Sequence, residues 1–109
     1  MSKTYWKPIK TYENMPILKH DEEVRNISFE LYVSRKGQVG WIRLDSPGKP
    51  LNPQGEARAI SITEDQIARI LFQMSYGVHT PVDDQKIQRI TENNRSLISR
   101  VKRDCMSSK

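Results

Sequence analysis

Asn26-Ile27-Ser28-Phe29-Glu30-Leu31-Tyr32-Val33-Ser34, continued by Arg35-Lys36-Gly37-Gln38-Val39-Gly40-Trp41-Ile42-Arg43-Leu44, is the stretch on which the fold turns. Apolar Ile27, Phe29, Leu31 and Val33 alternate with Ser28, Glu30, Tyr32 and Ser34. A period of two sets four apolar side chains on one face of a strand. Gly37 supplies the positive φ that a short hairpin loop needs, and Val39 to Leu44 reads as the returning strand, giving a hairpin over about 27–45. On that strand Ile42 and Leu44 share one face and Val39, Trp41 and Arg43 the other, which puts Trp41 on the more exposed side. Ser46-Pro47-Gly48-Lys49-Pro50 ends the hairpin with residues that favour turns.

Upstream, residues 1 to 20 mix lysines, aromatic residues and two prolines, Pro8 and Pro16, without a sustained period. An extended segment docked on the core is expected there, with Tyr5, Trp6 and Tyr12 covering one edge. Asp21-Glu22-Glu23 reads as a solvated turn. Downstream, Pro53 and Gly55 indicate a loop, and Ala57 to Ser61 offers a third short strand.

The helical signals follow. Thr63 and Gln66 form a capping box, and Ile67, Ile70, Leu71 and Met74 fall on one face, predicting a helix over 64–75 that packs on the sheet. Gly77 suits the left-handed position that closes it. Thr80-Pro81 opens the last element, with Asp83 and Asp84 beside the positive end of the helix dipole. Residues 81–104 can then be read two ways. One continuous helix carries Ile87, Ile90, Asn94, Leu97 and Val101 at heptad spacing, a seam through which a homodimer would form with Asn94 fixing its register. Alternatively a break at 92–94 makes Arg95 to Arg103 the recognition helix of a helix-turn-helix. The continuous helix is favoured, because Gln88 and Glu92 stand where that motif usually carries alanine and glycine.

The chain of 109 residues, 36% apolar and 28% charged, is thus expected to be a single α+β domain. A β region at 26–61 precedes a helical region at 62–104 and a frayed tail at 105–109. The one cysteine, Cys105, permits no internal disulfide, which favours a reducing cytoplasm. Apolar runs of three or four residues give no membrane span, and the first residues lack a signal peptide's apolar segment.

Charge is the functional signal. Residues 1 to 84 hold 11 basic and 11 acidic side chains, and residues 85 to 109 hold 7 and 2, so the net +5 lies wholly in the last part of the chain. With Leu97, Ile98 and Val101 turned inward, Arg95, Ser99 and Lys102 lie on one flank of the last helix and Arg100 and Arg103 on another. Such a surface suits phosphate contacts, although lysine and arginine also sit well at any helix C-terminus. Arg35 and Lys36 at the hairpin tip, with Arg43, extend the basic footprint. Tyr32 and Trp41 add aromatic contacts.

The residues Trp6-Lys7-Pro8-Ile9-Lys10-Thr11-Tyr12-Glu13-Asn14 and, later, Tyr32-Val33-Ser34-Arg35-Lys36-Gly37-Gln38-Val39 together resemble the nuclease-associated modular domain found beside HNH homing endonucleases, many of them phage-borne. The resemblance covers about the first 40 residues. Met15 to Leu31 separate the two blocks, where that family has only a few residues. It implies a DNA-binding accessory encoded by a phage or mobile element and resident in the host cytoplasm.

No nuclease accompanies it. His20 and His79 are the only histidines and lie far apart, whereas an HNH centre needs a local cluster. Phosphate-loop, dinucleotide-binding, nucleophile-elbow and paired-cysteine motifs are absent. The expectation is therefore a non-enzymatic, regulatory DNA-binding protein with no catalytic residue, metal or cofactor. The rival is a small inhibitor or adaptor that binds an acidic surface on a host protein, such as a nuclease or polymerase, through the same helix and exposed aromatics. A third reading is single-strand binding, with Tyr32 and Trp41 as a stacking platform.

Overall fold

The computed structural model describes residues 6–34, 37–45 and 62–107. Three strands, β1 (Trp6–Leu18), β2 (Val24–Ser34) and β3 (Val39–Arg43), form an antiparallel sheet in sequence order. Three helices follow, α1 (Glu64–Tyr76), α2 (Asp84–Asn93) and α3 (Arg95–Ser107). The architecture is α+β, with the alternating apolar face of β2 at its centre: Ile27, Phe29, Leu31 and Val33 are all buried. Arg35, Lys36 and the strand expected at 57–61 lie outside the described residues.

The N-terminal segment is a full strand, and the reason its period is hidden is visible in the register. Tyr12 opposes Phe29, yet Met15 opposes Ile27, so β1 carries one extra residue between them; a second irregularity falls between Pro8 and Lys10. Each bulge switches which side chains turn inward. Even-numbered Tyr12 and odd-numbered Ile17 are therefore both buried, and Asn14 takes φ 51 within the bulge between Tyr12 and Met15. The pairing sets Trp6, Lys7 and Pro8 opposite Ser34, Val33 and Tyr32, while Lys10, Thr11 and Tyr12 oppose Leu31, Glu30 and Phe29, so the block Trp6–Asn14 runs mostly beside residues that precede Tyr32.

Trp41 corrects the reading of β3. It opposes inward-facing Leu31, while Ile42 opposes outward-facing Glu30. Trp41 is only 9% exposed, its indole N–H donating to Gln73 of α1 at 3.4 Å, and Leu44 is the exposed residue instead. Directly opposed residues share a face, so the inward parity of β2 dictates that of β3 and overrides the local pattern of Ile42 and Leu44.

At α1 the capping box forms as expected: Gln66 N–H donates to Thr63 Oγ1 at 3.2 Å and Thr63 N–H to Gln66 Oε1 at 3.3 Å. Ile67, Ala68, Leu71, Phe72 and Met74 are buried toward the sheet and the other helices. Gly77 closes the helix at φ 102, ψ 147, an extended positive-φ conformation rather than the left-handed helical one anticipated, and one that strongly favours glycine.

The last element departs further. Thr80 does not cap it; its hydroxyl donates to the Tyr76 carbonyl at 2.5 Å. Asp83 is the cap, accepting from the amides of Gln85 and Lys86, and the helix begins at Asp84. It then breaks at Asn94 rather than continuing. The Asn94 side chain behaves as a strand residue alongside β1: its Oδ1 accepts from Leu18 N–H at 3.0 Å, and its Nδ2 donates to Leu18 C=O at 2.8 Å and Ile90 C=O at 2.9 Å. Satisfying these buried groups outweighs one more residue of helix. The single-residue link is also shorter than the three- to four-residue turn of a helix-turn-helix.

The seam residues Ile87, Ile90, Asn94, Leu97 and Val101 are all buried within one chain, so the anticipated dimer seam is consumed by the protein's own core. Cys105 is likewise fully buried and α3 stays helical to Ser107, where fraying was expected. Among the described residues no helix is long and apolar enough to cross a membrane.

Candidate nucleic-acid interface

Leu97, Ile98, Val101 and Cys105 form the buried stripe of α3, and that stripe fixes the orientation of everything opposite. Arg95, Ser99, Arg100 and Arg103 are exposed, and Lys102 is half-buried at a shallow depression shared with Glu64, Ser99, Arg103 and Met106. The five helix residues expected from the sequence all lie away from the buried stripe but do not converge: Ser99, Lys102 and Arg103 line that depression, Arg100 lies over the Tyr12 ring, and Arg95 borders a separate depression with Pro16 and Glu92. Among the described residues, none of the cations on α2 and α3, namely Lys86, Arg89, Arg95, Arg100, Lys102 and Arg103, has a carboxylate within 4.0 Å.

Elsewhere several cations are engaged in holding the fold, although exposed Arg25 on β2 also has no carboxylate within 4.0 Å among the described residues. Arg43, expected at the interface, is half-buried; its Nε donates to Asp45 at 2.8 Å and one Nη to the Met74 carbonyl at 3.2 Å, tying β3 to the end of α1. The guanidinium lowers the Asp45 pKa. Arg69 pairs with Asp65 at 2.8 Å one turn apart on α1, and Lys19 with Glu23 at 3.0 Å. The expected site is therefore split: α3 supplies a surface and Arg43 belongs to the scaffold.

The aromatic residues are split too. Tyr32 lies on the outer face of the sheet opposite Gly40, and Trp41 on the inner face opposite Leu31. They cannot form one stacking platform. Between Tyr32 and Thr11 sits Glu30, whose carboxylate accepts from both hydroxyls; this bond, with burial second, raises the Tyr32 pKa. An anionic group at the centre of that face opposes nucleic-acid backbone rather than inviting it.

A cluster at the junction of β1 and α3 was not legible in the sequence. Tyr12 stacks on Phe29 at 4.9 Å between ring centroids, and its hydroxyl donates to Asp104 of α3. Burial first, and the Asp104 carboxylate next, push its phenol well above the usual range. Lys10 Nζ lies 5.5 Å and Arg100 Cζ 5.7 Å from the same ring centroid, and Lys10 reaches Asp104 at 3.8 Å. The bulge between Pro8 and Lys10 sets this lysine opposite Leu31, on the helix side of the sheet. Only the spacing of Lys10 and Tyr12, two apart on one strand, hinted at a shared face.

The histidines do not meet. The His20 ring contacts the Tyr76 hydroxyl, with Lys19 and Lys86 over the Tyr76 ring, whereas His79 is exposed. An apolar recess of about 300 Å³ between β3 and α1 is lined by Val39, Trp41, Ile70, Phe72 and Ile87; the titratable residue lining it, Arg69, is already paired. No protein-family model matches the chain, and no match emerges among curated proteins or solved structures.

Proposed function

We propose that this protein is a small, non-enzymatic DNA-binding protein, regulatory in role and of phage or mobile-element origin, whose α3 contacts backbone phosphates through Arg95, Ser99, Arg100, Lys102 and Arg103. The observation that carries the reading is the pairing pattern: every one of these cations lacks a carboxylate partner among the described residues, while Arg43, Arg69 and Lys19 each have one. An unpaired, solvated guanidinium meets a phosphate without breaking an internal bond, and each contact releases condensed counterions. The rival protein-binding reading drew on the same basic helix together with exposed Trp41 or Tyr32, and the burial of Trp41 takes one of those two aromatic contacts from it.

The test is a mobility-shift titration on duplex DNA across a range of salt concentrations. Four phosphate contacts from Arg95, Arg100, Lys102 and Arg103 correspond to a slope of log affinity against log salt of about −3 to −4. Affinity that does not fall with salt removes the electrostatic basis of the proposal.

A further inference from the structure

We propose that Lys10 and Arg100 form a phosphate subsite over the Tyr12 ring, one that joins β1 to α3 and takes a phosphodiester of a nucleic-acid backbone. This inference rests on the DNA-binding reading for its physiological ligand, but its geometry stands on its own. Phe29 stacks on one face of the Tyr12 ring at 4.9 Å with an interplanar angle of 14°, so the two cations approach from the ring's remaining side. Both are therefore brought to the same small area of surface by a ring that is itself fixed. Tyr12 is buried and its hydroxyl donates to Asp104, so the ring beneath the cations is held from two sides.

Asp104 receives the Tyr12 hydroxyl and stands 3.8 Å from Lys10, whereas Arg100 has no carboxylate within 4.0 Å among the described residues. The Lys10 side chain retains 43% of its exposure, and Arg100 is exposed, so an incoming anion reaches both. Anchoring the two long side chains on an aromatic ring reduces the rotamer entropy lost when they close on an anion. A guanidinium offers a planar pair of donors and an ammonium a point charge, a combination suited to the two non-bridging oxygens of a phosphodiester. Arg103, three residues beyond Arg100 and so its neighbour on the helix surface, continues the line of positive charge along α3.

Asp104 is then a positioning residue that also tempers affinity, and this gives the proposal a signature that a purely structural cluster lacks. Lys10→Ala removes a phosphate contact and reduces the magnitude of the salt slope on a short DNA duplex by about 0.9. Asp104→Asn keeps an acceptor for the Tyr12 hydroxyl, deletes the competing charge and tightens binding several-fold. If the cluster served only stability, both variants would shift the denaturation midpoint and neither would move affinity in these opposite directions. DNA binding by the wild type with both variants unchanged overturns the subsite and leaves the proposed function standing. If the wild type does not bind DNA, the proposed function fails, and the subsite is decided by an NMR titration with dimethyl phosphate. Shifts of the Arg100 Nε–H and Tyr12 ring resonances that Lys10→Ala abolishes then assign it to free phosphate esters, and their absence overturns it.

Discussion

Arg43 on β3 and Arg103 on α3 carry the same guanidinium in opposite circumstances. Arg43 is clasped between the Asp45 carboxylate at 2.8 Å and the Met74 carbonyl at 3.2 Å, whereas Arg103 is exposed and has no ion pair among the described residues. The contrast extends to the regions around them. On the sheet, in the turn after β1 and on α1, Lys10, Lys19, Arg43 and Arg69 each have a carboxylate partner, exposed Arg25 of β2 being the exception among the described residues, and the aromatic residues Tyr12 and Trp41 are buried. On α2 and α3 the cations have no carboxylate partner among the described residues, although Lys86 and Arg100 lie over the rings of Tyr76 and Tyr12. A count of charges along the chain locates the excess, but only pairing separates cations that hold the fold from cations available to a partner. Lys10 belongs to both groups, paired with Asp104 yet still 43% exposed beside Arg100.

If that division is right, substitutions in the first region act on stability and those on α3 act on binding. The largest effect is expected at Trp41. Replacing it with alanine empties a buried site between β3 and α1 and costs about 3–5 kcal/mol in urea denaturation; a loss below about 1 kcal/mol would return Trp41 to the list of surface contacts. Asn94→Ala comes next, at about 2–4 kcal/mol, because the backbone groups of Leu18 lose their partners and Ile90 C=O loses one of its own. A straightened, equally stable helix in that variant would show that the break is incidental.

Tyr12→Phe is a smaller change, about 1–2 kcal/mol at neutral pH, and it has a pH signature. Burial, with Asp104 beside it, raises the Tyr12 phenol above its unfolded value of 10.0. The protonated form is thus favoured by folding, so its contribution is complete below pH 10 and is lost as pH rises beyond it. The wild type should lose stability above that pH more steeply than Tyr12→Phe does; Tyr32 and Tyr76, raised in the same direction, remain in both. Parallel profiles would mean that the phenol is not held as described. The smallest pair sharpens the opening contrast directly: Arg43→Ala should cost about 1 kcal/mol and Arg103→Ala less than about 0.5 kcal/mol. Equal losses would erase the distinction.

How much of this was open to a reader of the sequence depends on whether the deciding interaction was local. The β2 alternation, the Thr63 and Gln66 capping box and the buried stripe of α3 are all set by residues within a turn or two of one another, and each formed as expected. The β1 strand was concealed by two bulges that interrupt its period. Trp41 was misplaced because its face is set by Leu31 on the neighbouring strand. Asn94 was read either as a seam residue of one helix, the reading favoured, or as part of a break at 92–94, where the helix does break; nothing near it in the chain announces the bond to Leu18, 76 residues away. The outward placement of the five α3 residues was legible because a helix presents its own surface. Lys10 was not, because its association with Arg100 arises only when β1 and α3 meet at Tyr12.

The central claim is that the unpaired cations of α3 are the contact surface, and the most direct test compares salt slopes on duplex DNA for the wild type, Arg43→Ala, and the double variant Arg95→Ala with Arg103→Ala. The double variant should lower the magnitude of the slope by about 2, one contact per arginine, while Arg43→Ala leaves it unchanged. Slopes that are equal in all three proteins, or that fall with Arg43 and not with the α3 pair, would contradict the account.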